Sequence, residues 1–249
     1  MNARHEITLV RHELKRRTLT VSRVEAITPL MRRIHFASDD LADFESLSPD
    51  DHVKLFFPSA DGPVMRDYTP RAYSDQQRTL TIDFALHDAG HATQWAVNAQ
   101  LGQTLQIGGP RGSKVVPDDF DWYLLVGDES GLPAIGRRVE ELREGVPVIT
   151  VVCIARAAEQ QQFSTRAAWK PVWIERGTDS ERDAERVLAA LTDFVAPPGD
   201  GFVRVAGEAS LAKAVRTYFI EQREHPRAWV RASGYWQRGK SDAHAELDE

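Results

Sequence analysis

Between Thr18 and about Val116 the apolar positions come in short runs with a period near two. Thr20-Val21-Ser22-Arg23-Val24-Glu25-Ala26 and Thr79-Leu80-Thr81-Ile82-Asp83-Phe84 alternate by residue type, while Met31 to Phe36 and His52 to Phe57 are short apolar or mixed runs. A period of two sends successive side chains to opposite faces, which is the pattern of a half-buried strand. Pro, Gly and Asp punctuate the runs at Thr28-Pro29, Ser48-Pro49-Asp50 and Asp61-Gly62-Pro63. Strands separated by turns rather than long helices predict an antiparallel sandwich or small barrel.

The texture changes after Pro117-Asp118-Asp119. Trp122 to Val126 is a continuous apolar run, followed by Gly127 and a helical stretch from Leu132 to Arg143. Further strand runs cover Val146 to Ile154, Pro171 to Glu175, Phe202 to Ala206 and Trp229 to Tyr235. Helical stretches from about Arg182 to Phe194 and from Leu211 to Gln222 lie between them. Strands alternating with helices predict a parallel sheet covered on both faces. The expected organisation is an N-terminal extension over 1–17, an all-β domain over 18–118 and an α/β domain over 119–249. The last of these ends in an acidic tail, Asp242 to Glu249. No internal repeat or low-complexity segment interrupts this order.

Composition narrows the function classes. The 31 Lys and Arg against 37 Asp and Glu give a net charge of −6, which argues against a nucleic-acid partner. With 42% hydrophobic residues in 249, the chain can bury a core. No apolar run approaches the roughly 18–20 residues of a membrane span, and the first residues lack the apolar centre of a secretory signal. A cytoplasmic location is therefore expected. The single Cys153 excludes an intramolecular disulfide and a multi-cysteine metal site, and mid-strand it reads as a small buried hydrophobe. No metal site is expected.

Three kinds of segment carry chemistry. Arg66-Asp67-Tyr68-Thr69-Pro70-Arg71-Ala72-Tyr73 places two guanidinium groups, two phenols and a hydroxyl in eight residues. In one extended strand Arg66, Tyr68 and Pro70 share a face and Asp67, Thr69 and Arg71 the other. Such a face can grip a phosphate and stack on a flat ring, or it can be an exposed edge strand with scattered charges. In Asp83-Phe84-Ala85-Leu86-His87-Asp88-Ala89-Gly90-His91-Ala92-Thr93-Gln94-Trp95-Ala96 a strand ends, Gly90 turns the chain, and a short helix from Ala92 to Gln100 offers its first amides to an anion. Its two histidines equally suit a solvent-facing loop, since no metal-ligand spacing includes them. In the α/β domain, Gly127-Asp128-Glu129-Ser130-Gly131-Leu132-Pro133 is a strand–turn–helix unit without the G-x-G-x-x-G pattern. Ala206-Gly207-Glu208 and Gly234-Tyr235-Trp236 end later strands, at the sheet edge where open α/β folds bind nucleotides.

Arg66-Asp67-Tyr68-Thr69 resembles the R-x-Y-T flavin signature of the ferredoxin-reductase-like superfamily. Taken in order with His87, Gly90, Thr93-Gln94-Trp95-Ala96, Gly108-Gly109-Pro110-Arg111-Gly112, Gly127-Asp128-Glu129, Ala206-Gly207-Glu208 and Gly234-Tyr235-Trp236, the chain is similar to the siderophore-interacting proteins from about residue 18 to 244. The resemblance implies a six-stranded antiparallel FAD-binding barrel followed by an open parallel-sheet α/β nucleotide-binding domain. It also implies an FAD-dependent ferric-siderophore reductase with no side-chain acid or nucleophile. By position, Arg66, Asp67, Tyr68 and Thr69 would hold the flavin, with Tyr68 and Thr69 at the isoalloxazine. Asp83, Phe84, His87, Gly90, Ala92, Thr93 and Trp95 would line the rest of FAD. Gly127, Asp128, Glu129, Ser130, Ala206, Gly207, Glu208, Tyr235 and Trp236 would receive NAD(P)H. Ser130 stands where the family more often has Thr and keeps the hydroxyl.

An anionic ferric siderophore calls for cations near the flavin, and Lys54, Arg111, Arg238 and Lys240 are the candidates. Arg156 after the second parallel strand and Arg176 after the third favour NADPH over NADH, because Arg accommodates a 2′-phosphate where an acid would grip the free hydroxyl. A monomer is expected, with a ferredoxin as an alternative donor. The competing readings are a flavin-dependent NAD(P)H reductase with another acceptor and a siderophore-binding module without redox turnover.

Overall fold

In the computed structural model, residues 4–86, 90–239 and the backbone of 245–246 are described. The chain divides into two compact units, Met1–Pro117 and Asp118–Glu249. Among the described residues no helix is long and apolar enough to cross a membrane.

The first unit contains β1 (Thr8–Arg11), β2 (Arg16–Thr28), β3 (Met31–Ala37), β4 (Val53–Phe57), β5 (Val64–Tyr68), β6 (Ala72–Ser74), β7 (Thr79–Ala85), the helix α1 (His91–Val97), β8 (Thr104–Gly108) and β9 (Gly112–Val115). Seven strands form one antiparallel sheet in the order β5-β4-β8-β2-β3-β7-β6. The alternating residues of the sequence point as their period demands: Leu19, Val21, Ile34, Phe36, Leu55, Phe57, Leu80 and Ile82 are all buried in one core.

Seven strands replace the expected six because the run Arg66 to Tyr73 is not one strand. Pro70 has no N–H and cannot continue a ladder, and the chain breaks there. Its two halves, β5 and β6, become the two end strands of the sheet. Only Thr69, Pro70 and Arg71 join them, and at no more than ~3.6 Å per residue so short a connection requires the sheet to curl until its ends approach. Thr69, Pro70 and Arg71 are buried at this seam, and the Arg71 amide donates to the Thr81 carbonyl at 2.9 Å.

The segment expected as an N-terminal extension is part of the unit. Its strand β1 pairs antiparallel with β9, from Thr8↔Val115 to Arg11↔Gly112, and the His12 imidazole hydrogen-bonds Ser113 Oγ at 2.8 Å. Residue-type alternation could not reveal it because β1 is only four residues long and none of its side chains is fully buried.

The second unit contains β10 (Trp122–Gly127), α2 (Leu132–Glu141), β11 (Pro147–Ile154), β12 (Ala168–Glu175), α3 (Asp183–Thr192), β13 (Gly201–Glu208), α4 (Ala209–Thr217), β14 (Val230–Trp236) and β15 (Ala245–Glu246). The order is β12-β11-β10-β13-β14-β15, parallel throughout except for β15. Helices α3 and α4 bury Val187, Leu191, Leu211, Ala212 and Val215 against Leu124, Val126, Val151, Cys153, Val203 and Val205. The helix expected to run to Gln222 ends at Thr217 and is followed by one wider π-helical turn, Tyr218–Gln222. The chain moves outward from β10 in both directions, so the strand order reverses at the carboxyl end of β10, where open α/β sheets leave a crevice for a ligand.

Candidate functional site

In the first unit the flavin signature stands on β5, which pairs with β4 through Val53↔Tyr68, Lys54↔Asp67 and Leu55↔Arg66. Tyr68 is half-buried. Its ring lies 4.5 Å from Phe84, tilted by 42°, and edge-on to Phe57 at 6.2 Å. Trp95 backs both of these rings, at 5.9 Å from Phe84 and 5.7 Å from Phe57. Tyr68 is thus a flat surface held from behind by aromatic contacts. Burial pushes its phenol pKa up, so the ring stays neutral at any working pH.

Arg66 is partly exposed and donates from Nη1 to the Met65 carbonyl at 2.8 Å. Thr69 is buried at the seam beyond Tyr68. A planar ring with an anionic tail fits this donor set: a supported aromatic face, a hydroxyl and a guanidinium. A second observation agrees, because the Trp95 indole N–H is buried and has no hydrogen-bond partner among the described residues.

Other residues assigned to the flavin take different roles. Phe84 is fully buried, so its side chain supports Tyr68 instead of lining a ligand. Asp83 is 3% exposed and holds the Arg33 guanidinium in two 2.7 Å hydrogen bonds, with Arg71 at 3.6 Å. Its carboxylate is a structural counter-ion. Gly90 caps α1 without a side-chain hydrogen bond, and the helix is seven residues long, shorter than the sequence implied. Ala92 and Thr93 stand half-buried in its first turn. His87 lies outside the described residues.

In the second unit the predicted turns do meet at one edge, through two adjacent acids. Asp128 is 2% exposed. Its Oδ1 accepts from the Ser130 amide at 2.8 Å and the Ser130 hydroxyl at 2.5 Å. Its Oδ2 accepts from the Glu208 amide at 2.8 Å and the Trp236 indole N–H at 3.0 Å. Glu129 faces the other way: Oε1 accepts from the Ala155 amide at 2.9 Å and Oε2 from Arg176 Nη2 at 2.6 Å. The consecutive pair therefore ties the carboxyl end of β10 to β13 and β14 on one side and to β11 and β12 on the other. All four carboxylate oxygens are thereby engaged by donors of the protein itself.

The glycines are explained by the same close packing. A Cβ on Gly127 would come within 2.2 Å of the Ala206 carbonyl oxygen, and one on Gly131 within 2.1 Å of the same atom. A Cβ on Gly207 would meet Asp128 Oδ2 at 2.9 Å. Glu208 caps α4, accepting from the Ser210 and Leu211 amides at 2.5 and 3.3 Å. Burial works to raise its pKa, but hydrogen bonds from Ser210, Arg238 and Leu211 outweigh it and hold the carboxyl below its ordinary value.

The two arginines chosen for a 2′-phosphate are not equivalent. Arg176 is clamped between Glu129 and Asp183, with Nε 3.5 Å from Asp183 Oδ2, and serves to neutralise buried acids. Arg156 is exposed at the end of β11, where the buried Glu159 steadies it at 3.1 Å. Among the substrate candidates, Lys54 is paired with Asp67 at 2.8 Å, and Arg238 donates to Ser180 Oγ at 2.9 Å with Glu181 at 3.7 Å. Arg111 is exposed, and Lys240 lies outside the described residues. Tyr235 is half-buried beside Trp236 at the end of β14.

Sequence reasoning missed Asp183. Burial, reinforced by the neighbouring Asp128 and Glu129 charges, pushes its pKa up to about 6 despite Arg176. Burial likewise pushes Cys153 up to about 12, leaving the thiol unreactive. A carboxyl whose pKa is higher in the folded than in the unfolded chain adds stability below about pH 4, and loses it as pH rises through about 6. Asp183→Asn should therefore be more stable than the parent at pH 7.5 by on the order of 1–2 kcal/mol. That gain should shrink to about a third of its size at pH 4.5 and vanish below about pH 3 in thermal melts. An equal effect at both pH values would refute the assignment.

Comparison with known proteins agrees with the geometry. A model of the siderophore-interacting protein family matches residues 120–239, and one of the siderophore-interacting FAD-binding domain matches 20–64 and 58–114. The NADPH-dependent ferric-chelate reductase of Escherichia coli (strain K12) is 36% identical over 91% of this chain and 95% of its own length. The ferric vibriobactin reductase ViuB of Vibrio cholerae serotype O1 is 28% identical over 94% and 96%. Among solved structures, a siderophore utilization protein from T. fusca superposes with a TM-score of 0.90 at 35% identity, covering 96% of this chain and 98% of that one.

Proposed function

The chain belongs to the siderophore-interacting protein family, and from that premise we propose that it is an FAD-dependent oxidoreductase that uses NADPH to reduce siderophore-bound Fe(III) to Fe(II). The observation that carries the reading is the supported Tyr68 face with Arg66 and Thr69, on a chain that spans almost the whole length of a ferric-chelate reductase relative. Bound FAD supplies the conversion between a two-electron donor and a one-electron acceptor.

The chain's own residues bind and orient. Tyr68 presents a neutral ring, Thr69 a hydroxyl and Arg66 a positive charge to the flavin. Arg156 meets the 2′-phosphate of NADPH, and the edge organised by Asp128 and Glu129 receives the rest of that nucleotide at Gly207, Tyr235 and Trp236. No side chain is required as acid, base or nucleophile. Hard oxygen ligands hold Fe(II) less tightly than Fe(III), so reduction itself releases the metal. In the first unit Arg111 attracts an anionic ferric complex directly, and Lys54 does so by exchanging Asp67 for the ligand. The reading takes the protein as a cytoplasmic monomer, with a ferredoxin as an alternative donor.

An anaerobic titration tests it. One equivalent of NADPH should bleach the flavin absorbance, and a ferric siderophore should restore it while a ferrous-specific chelator develops colour. If the bleached protein ignores ferric chelates but is reoxidised by another acceptor, the enzyme is a different flavin reductase. If NADPH never bleaches it, the binding-module reading takes over.

A further inference from the structure

Trp236 is half-buried at the end of β14, with the Arg238 guanidinium 5.9 Å from its ring centre. Its one polar atom, Nε1, donates to Asp128 Oδ2 at 3.0 Å across 108 residues of sequence. Oδ2 also accepts the Glu208 amide, so the same oxygen that orients the indole fixes the start of α4. Oδ1 is filled by the two Ser130 donors. Four donors converge on a carboxylate that is 2% exposed. Four hydrogen bonds to a buried charge form a rigid and directional anchor.

We propose that Asp128 is a positioning residue for the nicotinamide nucleotide: it sets the plane of Trp236, and Trp236 makes the contact. This rests on the reading that Trp236 touches NADPH, and it assigns Asp128 a different role from that of a ligand-binding turn residue. The chemistry explains why an acid stands where many nucleotide turns carry only glycine. Every group that must be held here is a donor, and only an ionised carboxylate accepts from four donors without offering one of its own. Asn cannot replace it, because its NH2 would face either the Ser130 pair or the Glu208–Trp236 pair.

The test is calorimetric titration of NADP+ into flavin-loaded protein, with steady-state kinetics on a ferric chelate and a thermal melt for each variant. Asp128→Asn should weaken NADP+ binding about tenfold and raise the KM for NADPH similarly, with kcat at saturation within about twofold. Trp236→Phe keeps a ring and removes only the N–H, so it should weaken binding about threefold. The double variant should be no weaker than Asp128→Asn alone, since both changes break one linkage. Should Asp128→Asn not fold, Trp236→Phe takes its place: it should weaken NADP+ binding with its Tm little changed, and unchanged binding there overturns the proposal. An Asp128→Asn protein with a lowered Tm but unchanged NADP+ affinity overturns the proposal, as do multiplicative effects in the double variant. Trp236→Ala separates the two claims: unchanged NADP+ binding there overturns the contact reading itself, whereas weakened binding there with unchanged binding in Asp128→Asn overturns only the role of Asp128.

Discussion

Tyr68→Ala should give a folded protein that has lost its flavin. The Tyr68 ring rests on Phe84 and Phe57 with Trp95 behind them, so its unsupported side is the surface available to a planar ligand. Deleting the ring removes both the stacking and the apolar area a flavin would cover, together ~2–3 kcal/mol. At 1.4 kcal/mol per tenfold, FAD affinity should fall about 30- to 100-fold. Tyr68→Phe, which keeps the ring, should lose less than about fivefold. The readout is flavin absorbance per chain after dialysis, followed by fluorescence titration of the stripped protein with FAD. Stoichiometric flavin in Tyr68→Ala would move the isoalloxazine away from β5. Tyr68 is partly buried against the core, so a thermal melt of the flavin-free protein beside the FAD titration separates lost binding from lost folding.

The second large effect concerns a glycine. Gly131 has φ −83° and ψ −18°, a backbone conformation open to any residue, so no left-handed strain keeps it glycine. The obstacle is the β13 main chain: an added Cβ would sit 2.1 Å from the Ala206 carbonyl oxygen and 3.0 Å from its carbon. A backbone atom cannot rotate away as a side chain can. Gly131→Ala must therefore displace the turn after β10, β13, or both, and break hydrogen bonds to Asp128 in doing so. A cost of at least ~3 kcal/mol is expected, near the upper range for overpacking. For a unit of this size that lowers Tm by about 10 °C. Ser130→Ala next door gives up one side-chain hydrogen bond and should cost about 1 kcal/mol. A Gly131→Ala protein melting within 3 °C of the parent would show that β10 and β13 are not so close.

Both experiments bear on how a motif is interpreted. Gly127 and Gly131 stand in a strand–turn–helix unit that lacks the G-x-G-x-x-G pattern, and the structure gives both a packing reason: a Cβ at either position would collide with the same carbonyl oxygen of β13. Asp128, Glu129 and Arg176, assigned to the nicotinamide nucleotide by resemblance, are seen in the structure to fasten five strand ends together.

What the amino-acid sequence determined by itself was whatever repeats locally. Alternation at residues 20–26 and 79–84, the apolar run 122–126 and the change of period near residue 117 specify strands, helices and their order, because burial acts on each side chain according to its position along one element. The R-x-Y-T cluster at Arg66, Tyr68 and Thr69 is equally local, so it stands out in the sequence without any knowledge of the fold. Tertiary structure alone decided the break at Pro70, which sends β5 and β6 to opposite ends of the sheet, and the pairing of β1 with β9. It alone decided that Trp236 and the Glu208 amide meet on Asp128 and that Asp183 titrates near pH 6. A charged side chain takes its role from the nearest opposite charge, donor or apolar wall, and here those neighbours come from up to 108 residues away, beyond the reach of any period along the chain.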